Sequence, residues 1–216
     1  MEPIAGASIS RQSKFWKIGN DMKYLAQSLA LLGALTFALA APAQASDETP
    51  QGMTKAFAVA EAAHDDLFDA FGKDSLKNGQ FVWKDGTDEV TRVVVSLADQ
   101  MVYAYDGDEL VGAATASTAR EGHITPAGIF TVLAKHREYR SKKYDNASMP
   151  YMQRIDDYGI AMHGGQPLPG YPASHGCIRM PTKFAAKLFA TTKVGTPVYV
   201  GGYPPYFDPT QVAAKD

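Results

Sequence analysis

Near its start the chain carries a long uncharged run. From Tyr24 to Ser46 there is no ionisable acid or base, and Leu25, Leu29, Leu31, Leu32, Leu35, Phe37 and Leu39 recur among alanines. Lys23 precedes the run and Ala43-Gln44-Ala45 closes it with small residues. A basic start, an apolar middle and an A-x-A end are the parts of a secretory signal. Residues 1–45 therefore read as a signal peptide, for which Met22-Lys23 is a tidier start than the mixed-charge stretch from Met1 to Asp21. An uncleaved anchor is the alternative, because the run is about long enough to cross a hydrocarbon core of ~30 Å.

Residues 46–89 read as linker, amphipathic helix and connector, with 47–52 as the linker itself. Thr49 is a candidate N-cap with Pro50 at the first helical position. Met53, Ala56, Phe57, Ala60, Ala63, Leu67, Phe68 and Phe71 then recur every three or four positions up to Gly72, the period of a helix with one apolar face. Its phenylalanines are expected to pack on the main domain rather than to form a partner-binding surface. Phe81, Val82 and Trp83 offer a docking point in an otherwise polar connector.

From Glu89 onward the pattern changes to short β-type runs. Val90–Leu97 and Met101–Tyr105 flank a turn at 98–100, and Asp106-Gly107 signals a type I′ hairpin before Leu110–Ser117 returns. Ile129–Ala134, Ile160–His163 and Val198–Val200 complete the strand candidates, and Pro181–Ala190 carries helical spacing. Strands do not alternate with helices, which excludes a doubly wound sheet. The fold class expected is mainly β, with residues 90–201 as the main domain and 202–216 as a C-terminal tail.

Charge and cysteine usage narrow the function. The whole chain has a net charge of -2, and a pI near 6.2 leaves no basic footprint for nucleic acid. Without the first 45 residues the net charge is −4. A single cysteine, Cys177, excludes an intrachain disulfide framework and a Cys-rich zinc site. An exported unpaired thiol is prone to oxidation, so its retention points to use as a nucleophile. It sits in Ser174-His175-Gly176-Cys177-Ile178-Arg179, with Met162-His163-Gly164-Gly165 upstream.

His163, ending a strand-like run, is a candidate base for Cys177. His175 shares the thiol's face if the segment is extended. A neighbouring imidazole would lower the thiol pKa and enrich the thiolate. Gly164, Gly165 and Gly176 leave room for a substrate backbone, the amides around Gly176 and Cys177 could form an oxyanion site, and Arg179 offers a fork for a carboxylate. The alternatives are an inert buried thiol and a zinc site from His163, His175 and Cys177, for which this segment supplies no fourth ligand.

These motifs resemble the L,D-transpeptidase catalytic domain (YkuD-type). The match is His163-Gly164 followed by Ser174-His175-Gly176-Cys177-Ile178-Arg179, with Ser117-Thr118 and Thr125-Pro126-Ala127-Gly128-Ile129-Phe130 upstream, over most of Val90 to Val200. The resemblance implies a β-sandwich-like fold of mixed sheets with few helices, no metal or organic cofactor, and a place in the periplasm or cell wall. It implies attack by Cys177 on a peptidoglycan stem peptide, release of D-Ala, and transfer of the acyl group from a thioester to an amine. His163 would be the general base. Ser174, His175 and Gly176 would support the nucleophile and oxyanion, while Arg179 and Gly164 would bind substrate. Only ten residues, three of them proline, separate His163 from Ser174. That departure leaves open whether the acceptor is another stem peptide, an envelope protein's lysine, a D-amino acid or water. Water would make the protein an L,D-carboxypeptidase or endopeptidase, and a thiol that no longer works would make it a wall-binding module.

Overall fold

Helix α1 (Pro50–Phe71) starts where its cap residues place it. The computed structural model, which describes residues 46–207, has Thr49 accepting from the Gly52 amide at 3.2 Å, Pro50 in the first turn and Gly72 as a left-handed C-cap. The expected signal peptide and the tail beyond residue 207 lie outside the described residues. The segment expected as a linker is structured: β1 (Ser46–Asp47) pairs with β6 (Gly128–Thr131), and Pro50 to Gly52 already belong to α1.

The remaining elements are β2 (Phe81–Trp83), β3 (Arg92–Ser96), β4 (Met101–Asp106), β5 (Glu109–Thr115), β7 (Ala134–His136), β8 (Met152–Arg154), β9 (Ala161–Gly164), β10 (Ile178–Met180), α2 (Thr182–Thr191) and β11 (Pro197–Gly201). They form a seven-stranded sheet in the order β1-β6-β11-β3-β4-β5-β2 and a four-stranded sheet in the order β10-β9-β8-β7. The mainly β, two-sheet class is as the sequence indicated. The hairpin turn differs by one residue. Asp106 pairs with Glu109, so the loop is Gly107-Asp108, and its positive φ is at Gly107 alone, which suits the type II′ pattern rather than I′.

Strands β3 and β4 are buried on both faces, and side-chain alternation decides which core each residue joins. Val93, Val95, Val102 and Ala104 meet Met162, Ile178, Met180 and Phe184 between the sheets. Val94, Met101, Tyr103 and Tyr105 point the other way, under α1. Trp83 of edge strand β2 packs edge-on against Phe184 with centroids 5.5 Å apart. The connector residues expected to dock thus complete the large sheet.

The buried face of α1 keeps the expected alanines and Leu67, but the phenylalanines do not lead it. Gly52, Ala56, Ala60, Ala63 and Leu67 are buried, whereas Phe68 is 56% exposed and Phe57 and Phe71 are only half-buried. The reason is close approach: a Cβ on Gly201 of β11 would lie 2.2 Å from the Ala56 carbonyl oxygen. A helix seated that low on a sheet needs small residues beneath it. Gly201→Ala is expected to destabilise the fold by about 3 kcal/mol, the upper range for overpacking, because the obstacle is backbone. Urea unfolding checks this; an unchanged midpoint would mean that α1 shifts freely. Phe57 instead meets Tyr203 edge-on at 5.0 Å, and Tyr203 stacks on Phe207.

Candidate active site

Buried methionine and isoleucine set the register of the site. β9 and β10 run parallel with Met162 opposite Ile178, His163 opposite Arg179 and Gly164 opposite Met180. Met162, Ile178 and Met180 are wholly buried in the core between the sheets. Alternation therefore sends His163, Arg179 and, one step before β10, Cys177 to the opposite face. That face is the floor of a cleft of about 770 Å³ that is lined by His163, His175, Cys177 and Arg179 among others. One wall comes from 139–149. The other is the proline-containing segment after His163, held where Ser117 Oγ donates to the Tyr171 carbonyl at 2.8 Å and Asn78 Nδ2 to the Leu168 carbonyl at 2.7 Å.

His163 is 6% exposed, and its Nδ1 lies 2.8 Å from the Gly164 carbonyl oxygen. A carbonyl can only accept, so Nδ1 carries the proton and Nε2 keeps a lone pair. Burial pushes the His163 pKa down to about 4, the Gly164 carbonyl opposes this, and the Arg179 charge adds to it. The ring is a neutral base at pH 7. Burial pushes the Cys177 thiol up, against a backbone bond from Ala161, and its sulfur lies 3.8 Å from the Gly159 carbonyl oxygen. Both shifts run against the lowering of the thiol pKa expected from a neighbouring imidazole. They favour the uncharged thiol and imidazole over a separated charge pair.

The Ser174–Cys177 loop is fixed by polar bonds. Ser174 Oγ donates to the Cys177 carbonyl at 2.6 Å and accepts from the Gly176 amide at 3.0 Å. Thr125 Oγ1 donates to the Gly176 carbonyl at 2.7 Å and accepts from the Ala119 amide at 3.0 Å. Gln100 brackets Thr118 through its backbone amide and its hydroxyl, and the Thr118 carbonyl accepts from Ala173 and Ser174. Ser174 Oγ thus bridges the two ends of the loop that carries Cys177. The Gly176 N–H is already engaged by Ser174, so the oxyanion role expected of it has no free donor in this geometry.

Gly164 and Gly176 make room for protein rather than for substrate. Gly176 has φ +135°, and a Cβ there would meet Ile160 Cδ1 at 2.5 Å; one on Gly164 would meet Thr182 Cα at 3.0 Å. Gly164 acts on the site through its carbonyl, which orients His163. His175 does not share the sheet face with Cys177, because the Gly176 conformation turns the chain. It is exposed at the cleft mouth, stacked on Tyr144 at 4.4 Å, with Nε2 at 2.9 Å from Arg120. Lost hydration, then the charges of Arg120, His123, Arg179 and Lys143, hold its pKa below the ordinary value. The Arg120 guanidinium occupies His175 Nε2, and no three His, Cys, Asp or Glu side chains converge on a metal position among the described residues. Arg179 is half-buried; among the described residues its side chain has only a long 3.4 Å contact to Ser117 Oγ, and its Nε is buried without a partner.

Sequence reasoning passed over Asp156. Its carboxylate is 4% exposed and accepts from the Gly159 and Ile160 amides, each at 2.7 Å, which fixes the turn that places the Gly159 carbonyl beside the thiol. Nothing local marks it, because an Asp in a polar loop ordinarily faces solvent.

The model of the L,D-transpeptidase catalytic domain family, YkuD, matches residues 90–200. Among solved structures, the L,D-transpeptidase (Yku) from Stackebrandtia nassauensis is 23% identical, with a TM-score of 0.52 over 66% of this chain and 67% of that one. The L,D-transpeptidase from Mycobacterium smegmatis is 24% identical, with a TM-score of 0.48 over 53% of this chain and 59% of that one. A mutant Enterococcus faecium L,D-transpeptidase is 26% identical, with a TM-score of 0.46 over 52% and 50%. The matched region thus spans from half to two thirds of the length of these structures. Comparison with curated protein sequences gave no significant match.

Proposed function

Because the chain belongs to the L,D-transpeptidase catalytic domain (YkuD) family, we propose that it transfers the acyl group of a peptidoglycan stem peptide through a thioester on Cys177. One observation carries this reading: the β9–β10 register puts the thiol and a neutral, oriented imidazole on one face at the floor of an open cleft. His163 Nε2 takes the thiol proton as sulfur bonds to the carbonyl carbon of the third stem residue. The carbon–nitrogen bond to D-Ala then breaks, and His163 returns the proton to the departing amine. An incoming amine next gives a proton to His163 and displaces sulfur, which recovers the thiol. Arg179, with a buried unpartnered donor, supplies the grip on the donor's terminal carboxylate.

The site of action proposed is outside the cytoplasm, in the periplasm or cell wall, which rests on the signal-like start of the sequence. Incubating the protein from Ser46 onward with a defined tetrapeptide muropeptide tests the reaction by mass. Crosslinked dimer is expected. Tripeptide alone would make water the acceptor, crosslinking only to an added envelope protein would make a lysine the acceptor, and no change would leave a binding module.

A further inference from the structure

Positive charge collects at this cleft although the chain as a whole is acidic. Lys142, Lys143, Arg154 and Arg179 line the cleft and, among the described residues, no aspartate or glutamate does. Arg154 is paired with Asp157 at 3.1 Å. The other three, and Arg120 just behind His175, have no carboxylate partner among the described residues; Glu121, next in sequence to Arg120, forms no ion pair there.

Arg120 is also held in place. Its Nη2 reaches His175 Nε2 at 2.9 Å and His123 Nε2 at 3.3 Å. A guanidinium only donates, so both imidazoles accept at Nε2. His123 then donates from Nδ1 to the Gly122 carbonyl at 2.8 Å, and its ring lies 4.6 Å from that of His175. The Arg120 backbone N–H donates to the Ser174 carbonyl at 3.0 Å, which ties the residue to the nucleophile loop. Two acceptors without charge orient the group and leave its positive charge uncompensated. Lys143 and Arg179 act on the same His175 ring from the cleft. Arg120 thus contacts a side chain two residues from the nucleophile, and Lys143 and Arg179 line the same cleft.

We propose that the cleft mouth around His175 is a second carboxylate-binding subsite, in which Arg120, oriented by His123 and His175, selects donors whose third residue is a diamino acid with a free side-chain carboxylate. The subsite rests on the acyl-transfer reading, since Cys177 attacks that third residue and its long side chain leaves the carbon next to the reacting carbonyl. Arg179 takes the terminal carboxylate, so a donor with two carboxylates meets two separate cationic groups.

The test measures binding separately from turnover. Two tetrapeptides with meso-diaminopimelate at the third position, its side-chain carboxylate free or amidated, are titrated calorimetrically into Cys177→Ala protein. The free form is expected to bind about tenfold more tightly, the low end for a charge-assisted bond because the rim is wet. Adding Arg120→Ala should erase that preference and leave affinity for the amidated peptide within about twofold, while Arg120→Lys should keep part of it. In the Cys177-containing protein, Arg120→Ala should lower kcat/KM for the free peptide alone. Equal affinity for the two peptides, or an equal loss on both from Arg120→Ala, overturns the subsite. Discrimination by Cys177→Ala protein, with no product from wild type on either peptide, upholds the subsite and overturns the acyl-transfer reading.

Discussion

Replacing Cys177 by alanine or serine is expected to lower turnover of a tetrapeptide muropeptide by on the order of 10⁴–10⁶-fold, the cost of removing a nucleophile. Serine fares little better than alanine because a hydroxyl beside the same imidazole is a much weaker nucleophile than a thiol. Stability should fall by about 1 kcal/mol, since the half-buried residue packs against Met149, Met152 and Ala161 and its sulfur lies 3.8 Å from the Gly159 carbonyl oxygen. Incubation with a carbapenem, whose strained lactam carbonyl requires the same nucleophile, should add mass to wild type and none to Cys177→Ala. The resting thiol also has a signature of its own. Burial lifts its pKa, so alkylation by iodoacetamide should be slow at neutral pH and rise only beyond the ordinary thiol range of ~8.5. Rapid alkylation on a plateau at neutral pH would show a thiolate–imidazolium pair already formed. Wild-type turnover by either variant would remove Cys177 from the chemistry.

Much of the fold was legible because its signals were local. Thr49, Pro50 and Gly72 bound α1 through caps that need only neighbouring residues, and β3 and β4 announced themselves by β-branched and aromatic runs. Strands that depend on partners were not legible. β10 is only three residues long and becomes a strand by lying beside β9. β1 exists because β6 is next to it. The phenylalanines of α1 dominate any apolar count along the helix, yet alanines form its buried stripe, and the deciding contact with Gly201 is far away in sequence.

The site divides in the same way. Cys177, His163, Ser174 and Arg179 were readable from types and spacing, and the sheet places three of them on one face for a reason the sequence contains, the apolar Met162, Ile178 and Met180 between them. His175 and Gly176 were misplaced because the extended chain assumed for them is broken by a φ of +135° at Gly176. Arg120 and Gln100 carry no motif. Arg120 reaches the site across 55 positions, a contact that topology alone creates. Spacing brings imidazole and thiol onto one face, while the direction of their pKa shifts follows from burial in the folded floor.

His163→Ala is expected to cost about 10²–10⁴-fold in kcat/KM, the range for a general acid–base group, while His64→Ala and His136→Ala, both exposed, should leave it nearly unchanged. Its pH behaviour separates a base from a packing residue. Because the folded pKa is about 4 against an ordinary 6.5, the ring stays neutral and competent as pH falls through 6.5. The acid limb of kcat/KM should therefore centre near 4. Stability is linked to the same proton. Between 6.5 and about 4 the unfolded chain binds a proton that the folded chain refuses, so the stabilising contribution is full above 6.5 and drains away as pH falls to about 4. At 1.36 kcal/mol per unit that window is worth about 3 kcal/mol. His163→Gln, which cannot titrate, should flatten this part of the stability profile as well as remove activity. An acid limb near 6.5 in wild type, unmoved stability slopes in His163→Gln, or a smaller loss from His163→Ala than from His175→Ala would each transfer the base role from the buried ring to a solvent-facing one.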